Sequence, residues 1–154
     1  IIAMLIEEDL NIESITVMIQ KEVADRIVAK PGTKQYGALT VFVNFYCNVE
    51  TLLTVPKTVF MPSPKVDSAV VKLNLRKDIS TVDKKIFFKV VKAAFNQRRK
   101  TILNSLASVQ LDVDKQTIKE ILEECHIPLN VRAEDLKIED FIKISERLAS
   151  LNIY

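Results

Sequence analysis

The hydrophobic period changes once along this chain, and the change constrains its architecture more than any other feature. From Ala69 to Arg76 the residues alternate. Val71, Leu73 and Leu75 fall on one face and Val70, Lys72 and Asn74 on the other, the two-residue repeat of a strand. From Ile86 onward every apolar stripe has helical spacing. Ile86, Phe87, Val90, Val91 and Ala94 form one stripe, and Ile102, Leu103 and Leu106 a second. Ile118, Ile121, Leu122 and Cys125 form a third, with Asp114 placed to cap its helix. Ile138, Phe141, Ile142, Leu148 and Ala149 form the fourth, separated from the third by Pro128. A chain with this switch carries sheet before about residue 79 and a small helical domain after it.

The first half reads as alternating helix and strand. Ile1 to Ile6 predicts a helix ending at Glu7-Glu8-Asp9. Ser14 to Ile19, short and β-branched, predicts a buried strand. Lys21 to Ala29 predicts a helix with a Val23, Ala24, Ile27 and Val28 stripe, stopped by Lys30-Pro31-Gly32. Ala38 to Val49 is open on its residues: Val41, Phe42, Val43, Phe45 and Tyr46 favour strand by propensity. Glu50 to Val55 predicts a strand ending at Pro56 and pairing antiparallel with Ala69 to Arg76. Lys77 to Val82 reads as a polar linker.

Composition excludes several functions. The 154 residues carry a formal net charge of +2, too little to imply nucleic acid without local clusters. Cys47 and Cys125 sit in apolar contexts and read as buried, reduced thiols. His126 is the sole histidine and no Cys-x-x-Cys occurs, so no metal site is expected. No apolar run reaches the roughly 20 residues that span a bilayer, so neither a membrane partner nor a membrane location is expected.

Two stretches carry chemistry. Phe60 to Ser68 reads Phe-Met-Pro-Ser-Pro-Lys-Val-Asp-Ser. It places a ring on a loop stiffened by Pro62 and Pro64, with Lys65 close behind. A ring in such a loop can plug the end of a sheet or stack on a base. Lys65 can contact phosphate or simply be solvated. Asp67 and Ser68 read as caps for the turn into the next strand. Ala94 to Thr101 reads Ala-Phe-Asn-Gln-Arg-Arg-Lys-Thr. Asn96 and Gln97 can end one helix and bridge to the next. Arg98, Arg99 and Lys100 form either a solvated charge run or a phosphate contact. On a continuous helix these five residues would span more than one turn and could not all face one ligand. Lys84, Lys85, Lys89 and Lys92 read as solubilising, and Glu22, Asp25 and Arg26 as surface charges.

These two stretches, with Gln20-Lys21-Glu22-Val23-Ala24-Asp25-Arg26, Tyr36-Gly37-Ala38-Leu39 and Tyr46-Cys47-Asn48-Val49, resemble the bacterial small-subunit rRNA adenine N6,N6-dimethyltransferases of the KsgA type. The resemblance covers nearly the whole chain in matching order. It implies an α/β plus all-α fold: residues 1–78 as the C-terminal portion of a Rossmann-like, S-adenosylmethionine-dependent methyltransferase domain, and residues 79–154 as the C-terminal helical domain. It implies helix at Ala38 to Val49, and a sheet in which Ala69 to Arg76 lies between the other two strands. It implies that Phe60 stacks on an adenine drawn out of its helix. For the basic stretch it favours RNA contact by Asn96, Gln97, Arg98, Arg99 and Lys100, with Lys65 as a further candidate. The partner implied is the small ribosomal subunit and its rRNA, in the cytoplasm.

The same resemblance exposes what the chain lacks. Its only glycines are Gly32 and Gly37, and no Gly-x-Gly occurs. The family's catalytic Asn-(Leu/Ile)-Pro-Tyr is absent. The expectation is therefore a C-terminal half with no catalytic residue, no cofactor-binding residue and no methyl transfer of its own, from a parent that uses S-adenosylmethionine. Two rival readings stay open: a non-catalytic RNA- or ribosome-binding module, and a resistance-type methyltransferase acting on large-subunit rRNA. Ser14 to Ile19 has neither charge nor proline, so self-association through an exposed edge is expected.

Overall fold

The computed structural model describes residues 2–8, 11–77, 81–108 and 111–151. Three strands, β1 (Ser14–Gln20), β2 (Cys47–Val55) and β3 (Ser68–Leu75), form an antiparallel sheet with β3 in the middle. Ser14 pairs with Asn74 and Gln20 with Ser68 along β1. Cys47 pairs with Leu75 and Val55 with Ser68 along β2. The central place of β3 and its antiparallel pairing with β2 match the expectation; the antiparallel direction of β1 against β3 is not read from the sequence. In β3 the alternation holds: Ala69, Val71 and Leu73 are buried and their neighbours half-buried.

Helices α1 (Ile2–Glu7), α2 (Lys21–Ile27) and α3 (Ala38–Tyr46) accompany the sheet. Helices α4 (Lys84–Asn96), α5 (Ile102–Leu106), α6 (Lys115–Glu124) and α7 (Ile138–Ser150) follow it. Asp83, Thr101 and Asp114 each cap a helix by accepting from first-turn amides. α6 ends in a Schellman arrangement. His126, at φ 58°, donates to Glu123, and Ile127 donates to Leu122.

The helix at Ala38–Tyr46 overrides a strand-like composition, and the reason is its surroundings. Thr40, Val41, Val43, Phe45 and Tyr46 are all buried, so the helix is enclosed on several faces instead of lying on one. Its polar residues serve α2. Thr40 Oγ1 donates to the Arg26 carbonyl at 2.6 Å, and Asn44 Nδ2 donates to the Ile27 carbonyl at 2.7 Å. The last carbonyls of α2 gain side-chain donors this way, the Arg26 carbonyl in addition to the Ala29 amide it already accepts from.

Several sequence expectations are corrected. Ser14 to Ile19 is not a buried strand: Ile15 is buried, but Thr16 and Met18 face out, Met18 at 52% exposure. β1 hydrogen-bonds only β3 among the described strands. β2 begins at Cys47, not Glu50, because α3 runs into it without a loop. A register shift between Thr51 and Leu53 leaves Leu52 as a bulge. Val28 lies beyond the end of α2 and is exposed. Ile144, passed over in the last stripe, is fully buried, and the linker residue Val82 is buried as well.

One cluster of buried apolar side chains runs from Ile6, Ile15 and Leu73 through Phe45, Phe87 and Leu106 to Phe141 and Leu148. Aromatic rings join its two parts. Phe45 stacks on Phe87 with centroids 4.4 Å apart, and Phe42 lies 5.1 Å from Phe88. The boundary expected between residues 78 and 79 falls at 78–80, outside the described residues.

Candidate nucleic-acid interface

The loop joining β2 to β3 carries Phe60. Its base is fastened by Asp67, whose carboxylate accepts from the Lys57 amide at 2.9 Å and whose carbonyl accepts from the Lys21 amide at 2.9 Å. A 3-10 turn at Lys57–Val59 follows Pro56. Ser63 Oγ donates to the Lys57 carbonyl at 2.9 Å and draws the far side of the loop back onto that turn. The Met61–Pro62 peptide is cis. The sequence position of Asp67 suggests a cap for the turn into β3; its carboxylate instead reaches back to the turn after β2 and ties the two ends of the loop together.

Phe60 is half-buried, and its neighbours present apolar surface. Val59, Met61 and Val66 are exposed, Met61 at 99%. Sequence reading singles out the ring and misses this apolar fringe. The signal for it is there: several apolar residues close together, in a loop too short to bury them. Lys65 is exposed on the same loop.

The basic stretch lies elsewhere. α4 ends at Asn96, and the chain turns through Gln97, Arg98 and Arg99. The Lys100 amide donates to the Gln97 carbonyl at 2.8 Å, closing that turn. Asn96, Gln97, Arg98, Arg99 and Lys100 together line one open depression of about 440 Å³. As the sequence suggests, Asn96 and Gln97 end the helix and lead toward the next one, so these residues do not lie on one continuous helix. Arg98 also has an internal role. Its guanidinium donates to the Lys34 carbonyl at 2.8 Å and lies 3.8 Å from the Glu134 carboxylate.

Further bonds tie the segment after α2 to the helical part. The Gly32 amide donates to the Glu134 carbonyl at 2.7 Å, from a backbone at φ 84° that suits glycine. Tyr36 Oη donates to the buried Leu136 carbonyl at 2.8 Å. Burial, with the carboxylates of Glu139 and Asp140, pushes the Tyr36 phenol above its ordinary range. The Phe60 loop is therefore hung from the start of α2, and the basic turn from the segment after its end.

Of the glycines, Gly32 lies in the α2–α3 connection and Gly37 precedes α3. β1 passes straight into α2 at Gln20 and Lys21. The described residues thus contain no strand, glycine-rich turn and helix in sequence, and do not fit a dinucleotide-type cofactor cradle. Among the described residues no group of three or more His, Cys, Asp or Glu side chains is placed to hold a metal. No described helix is long and apolar enough to cross a membrane. Both cysteines are free, Cys47 buried and Cys125 half-buried. Burial pushes the Cys47 thiol up to about 11.

Residues 1–150 match the ribosomal RNA adenine dimethylase family. The chain is 48% identical over 152 residues to the ribosomal RNA small subunit methyltransferase A of Bacillus licheniformis, covering 96% of this chain and 52% of that protein. It is 44% identical to the protein of the same name from Alkaliphilus oremlandii, over 97% of this chain and 53% of that one. The chain spans about half the length of the curated relatives it matches. A dimethyladenosine transferase from Plasmodium falciparum superposes with a TM-score of 0.83 at 26% identity, over 99% of this chain and 62% of that one. The 23S rRNA methyltransferase ErmE superposes with a TM-score of 0.63 at 23% identity, over 96% of this chain and 59% of that one, a likeness of fold. The chain belongs to the ribosomal RNA adenine dimethylase family.

Proposed function

We propose that this chain is the RNA-engaging portion of a small-subunit rRNA adenine dimethyltransferase. Residues 1–78 form the C-terminal part of its Rossmann-like methyltransferase domain, and residues 79–154 its helical domain. The whole enzyme converts two adjacent adenines of small-subunit rRNA to N6,N6-dimethyladenosine, with S-adenosylmethionine as methyl donor. The residues here do not fit that donor, so the chain by itself binds none and transfers no methyl group. Identity of 44% to 48% to small-subunit relatives over nearly the whole chain supports this reading over the large-subunit one.

The observation that carries the proposal is the half-buried Phe60 ring on a loop fixed at its base by Asp67 and Ser63. An adenine must leave its stack before its amino group can be modified. A held ring offers it a face at little entropic cost. Lys65 on the same loop, and Asn96, Gln97, Arg98, Arg99 and Lys100 on the basic turn, contact the RNA around it. The free edge of β1 supports self-association of the isolated chain.

The test uses the complete methyltransferase that carries these residues. Phe60→Ala should slow methylation of unmethylated small subunits by roughly ten- to a hundredfold, as expected for a base stack worth on the order of 1–3 kcal/mol. Phe60→Tyr should retain most of the rate, and donor affinity should not change. An unaltered rate at subsaturating subunit concentration would refute the stacking role.

A further inference from the structure

A second concavity, of about 480 Å³, lies beside the basic turn. Its walls carry Arg26 from the end of α2, Lys34 from the following loop and Arg98 from the basic turn, with Glu22 as the one lining carboxylate. Glu22 is already engaged by Arg26 at 2.6 Å. The lining thus carries three cations and one carboxylate; Arg26 pairs with Glu22, and Arg98 pairs with Glu134 outside the lining. Arg26 and Arg98 each keep about half of their side chains exposed, 53% and 55%. Gly37, Ala38, Leu39 and Thr40, at the start of α3, complete the lining. Gly37 has no side-chain oxygen to accept from the first turn of that helix, whose amides carry the positive end of the helix dipole.

Arg98 lines this cleft and also the depression of Asn96 to Lys100. Arg98 is the residue that the two linings share. Hydrogen bonds hold the cleft's outer segment in place. Gly32, Lys34 and Tyr36 are bonded to Glu134, Arg98 and Leu136 respectively. Sequence reading takes Glu22 and Arg26 as ordinary surface charges and gives Lys34 no role, because these residues come together only in the folded chain.

The geometry points to a continuous RNA-backbone track. It runs from Lys100 and Arg99, past Arg98, into the cleft of Arg26, Lys34 and the first turn of α3, where phosphates of the same strand bind. Tyr36 and Phe95 add apolar surface to the cleft, beside Gln35 and Thr40. The cations of the track hold the phosphate backbone, contacts that carry no sequence information of their own. The inference rests on the RNA-binding reading above and adds a second phosphate seat to it.

The test is binding of a short fluorescein-labelled single-stranded RNA of mixed sequence to the chain across a salt titration. Two double variants are compared with the parent: Arg26→Gln/Lys34→Gln in the cleft, and Arg99→Gln/Lys100→Gln outside it. Removing one phosphate interaction lowers the slope of log affinity against log salt by about 0.7 on a single strand. The slope should therefore fall by about 1.4 in both variants. In addition, the amide resonances of Ala38 and Leu39 should shift on RNA addition to the unaltered chain. Lys34→Glu, a change on an exposed turn, should abolish that shift while leaving helicity intact. If the Arg99/Lys100 variant has a reduced slope while the cleft variants keep the parent slope and Ala38 and Leu39 do not shift, the cleft binds no RNA and only the basic turn does. If the unaltered chain binds no RNA at all, the cleft proposal and the broader reading fall together.

Discussion

Replacing Phe87 with alanine should show that the sheet and the helices melt as one unit. Phe87 is fully buried in α4. Its ring stacks on Phe45 of α3 at 4.4 Å and meets Phe88 edge-on at 5.0 Å. Truncating a buried phenylalanine costs about 3–5 kcal/mol, from lost transfer energy plus the cavity left behind. A chain of this size shifts its melting temperature by about 2–4 °C per kcal/mol, so the midpoint should fall by roughly 6–20 °C. The Phe45–Phe87 ring pair adds a coupling of about 0.5–1.5 kcal/mol in a double-mutant cycle with Phe45→Ala. Urea unfolding would be followed by far-UV circular dichroism and by tyrosine fluorescence, which the absence of tryptophan leaves unobscured. Tyr46 reports on the seam between α3 and α4, since its ring packs against Phe45 and Phe88. The two probes should give coincident transitions in the parent and in Phe87→Ala. A destabilisation below about 1.5 kcal/mol, against the 3–5 kcal/mol expected of a buried ring, would refute the shared core. So would a tyrosine transition unmoved while helicity disappears.

Three further outcomes rest on the same structure. Tyr36→Phe removes the donor to the buried Leu136 carbonyl and should cost about 1–3 kcal/mol by urea unfolding; a neutral effect would show that water replaces the bond. Burial raises the Cys47 thiol from 9 to about 11, so the folded state favours the protonated form. The resulting stability is complete below about pH 9 and declines as pH rises toward 11, a decline that Cys47→Ala should flatten in pH-dependent melting. Thr16→Lys places a charge on the open strand β1 and should shift sedimentation toward monomer; a parent chain that stays monomeric at high concentration would remove the premise.

The alternation of Ala69 to Arg76 is legible because a half-buried strand writes its two faces directly into sequence. The helical stripes after Ile86 are legible for the same reason at a different period. Ala38 to Tyr46 is not, because its β-branched and aromatic residues favour strand by propensity while the fold buries several faces of a helix; only the family resemblance favours helix there. β1 is misread because an apolar strand can be short through burial or through lying at an edge, and the residues do not distinguish the two. Phe60 and the Asn96 to Lys100 stretch stand out by residue type. Arg98 bonding to Lys34, and its shared wall with Arg26, do not, since they join positions 64 and more residues apart. Nothing local marks such a contact.

The most direct test of the central claim is equilibrium binding of the chain to purified, unmethylated small ribosomal subunits, with large subunits as competitor. The account predicts saturable binding that weakens steeply with salt and resists large-subunit competition. Affinity and salt slope should both fall when Arg98, Arg99 and Lys100 are replaced together. Binding that is absent, or equal for the two subunits, or unchanged in slope for a folded triple variant, would contradict it.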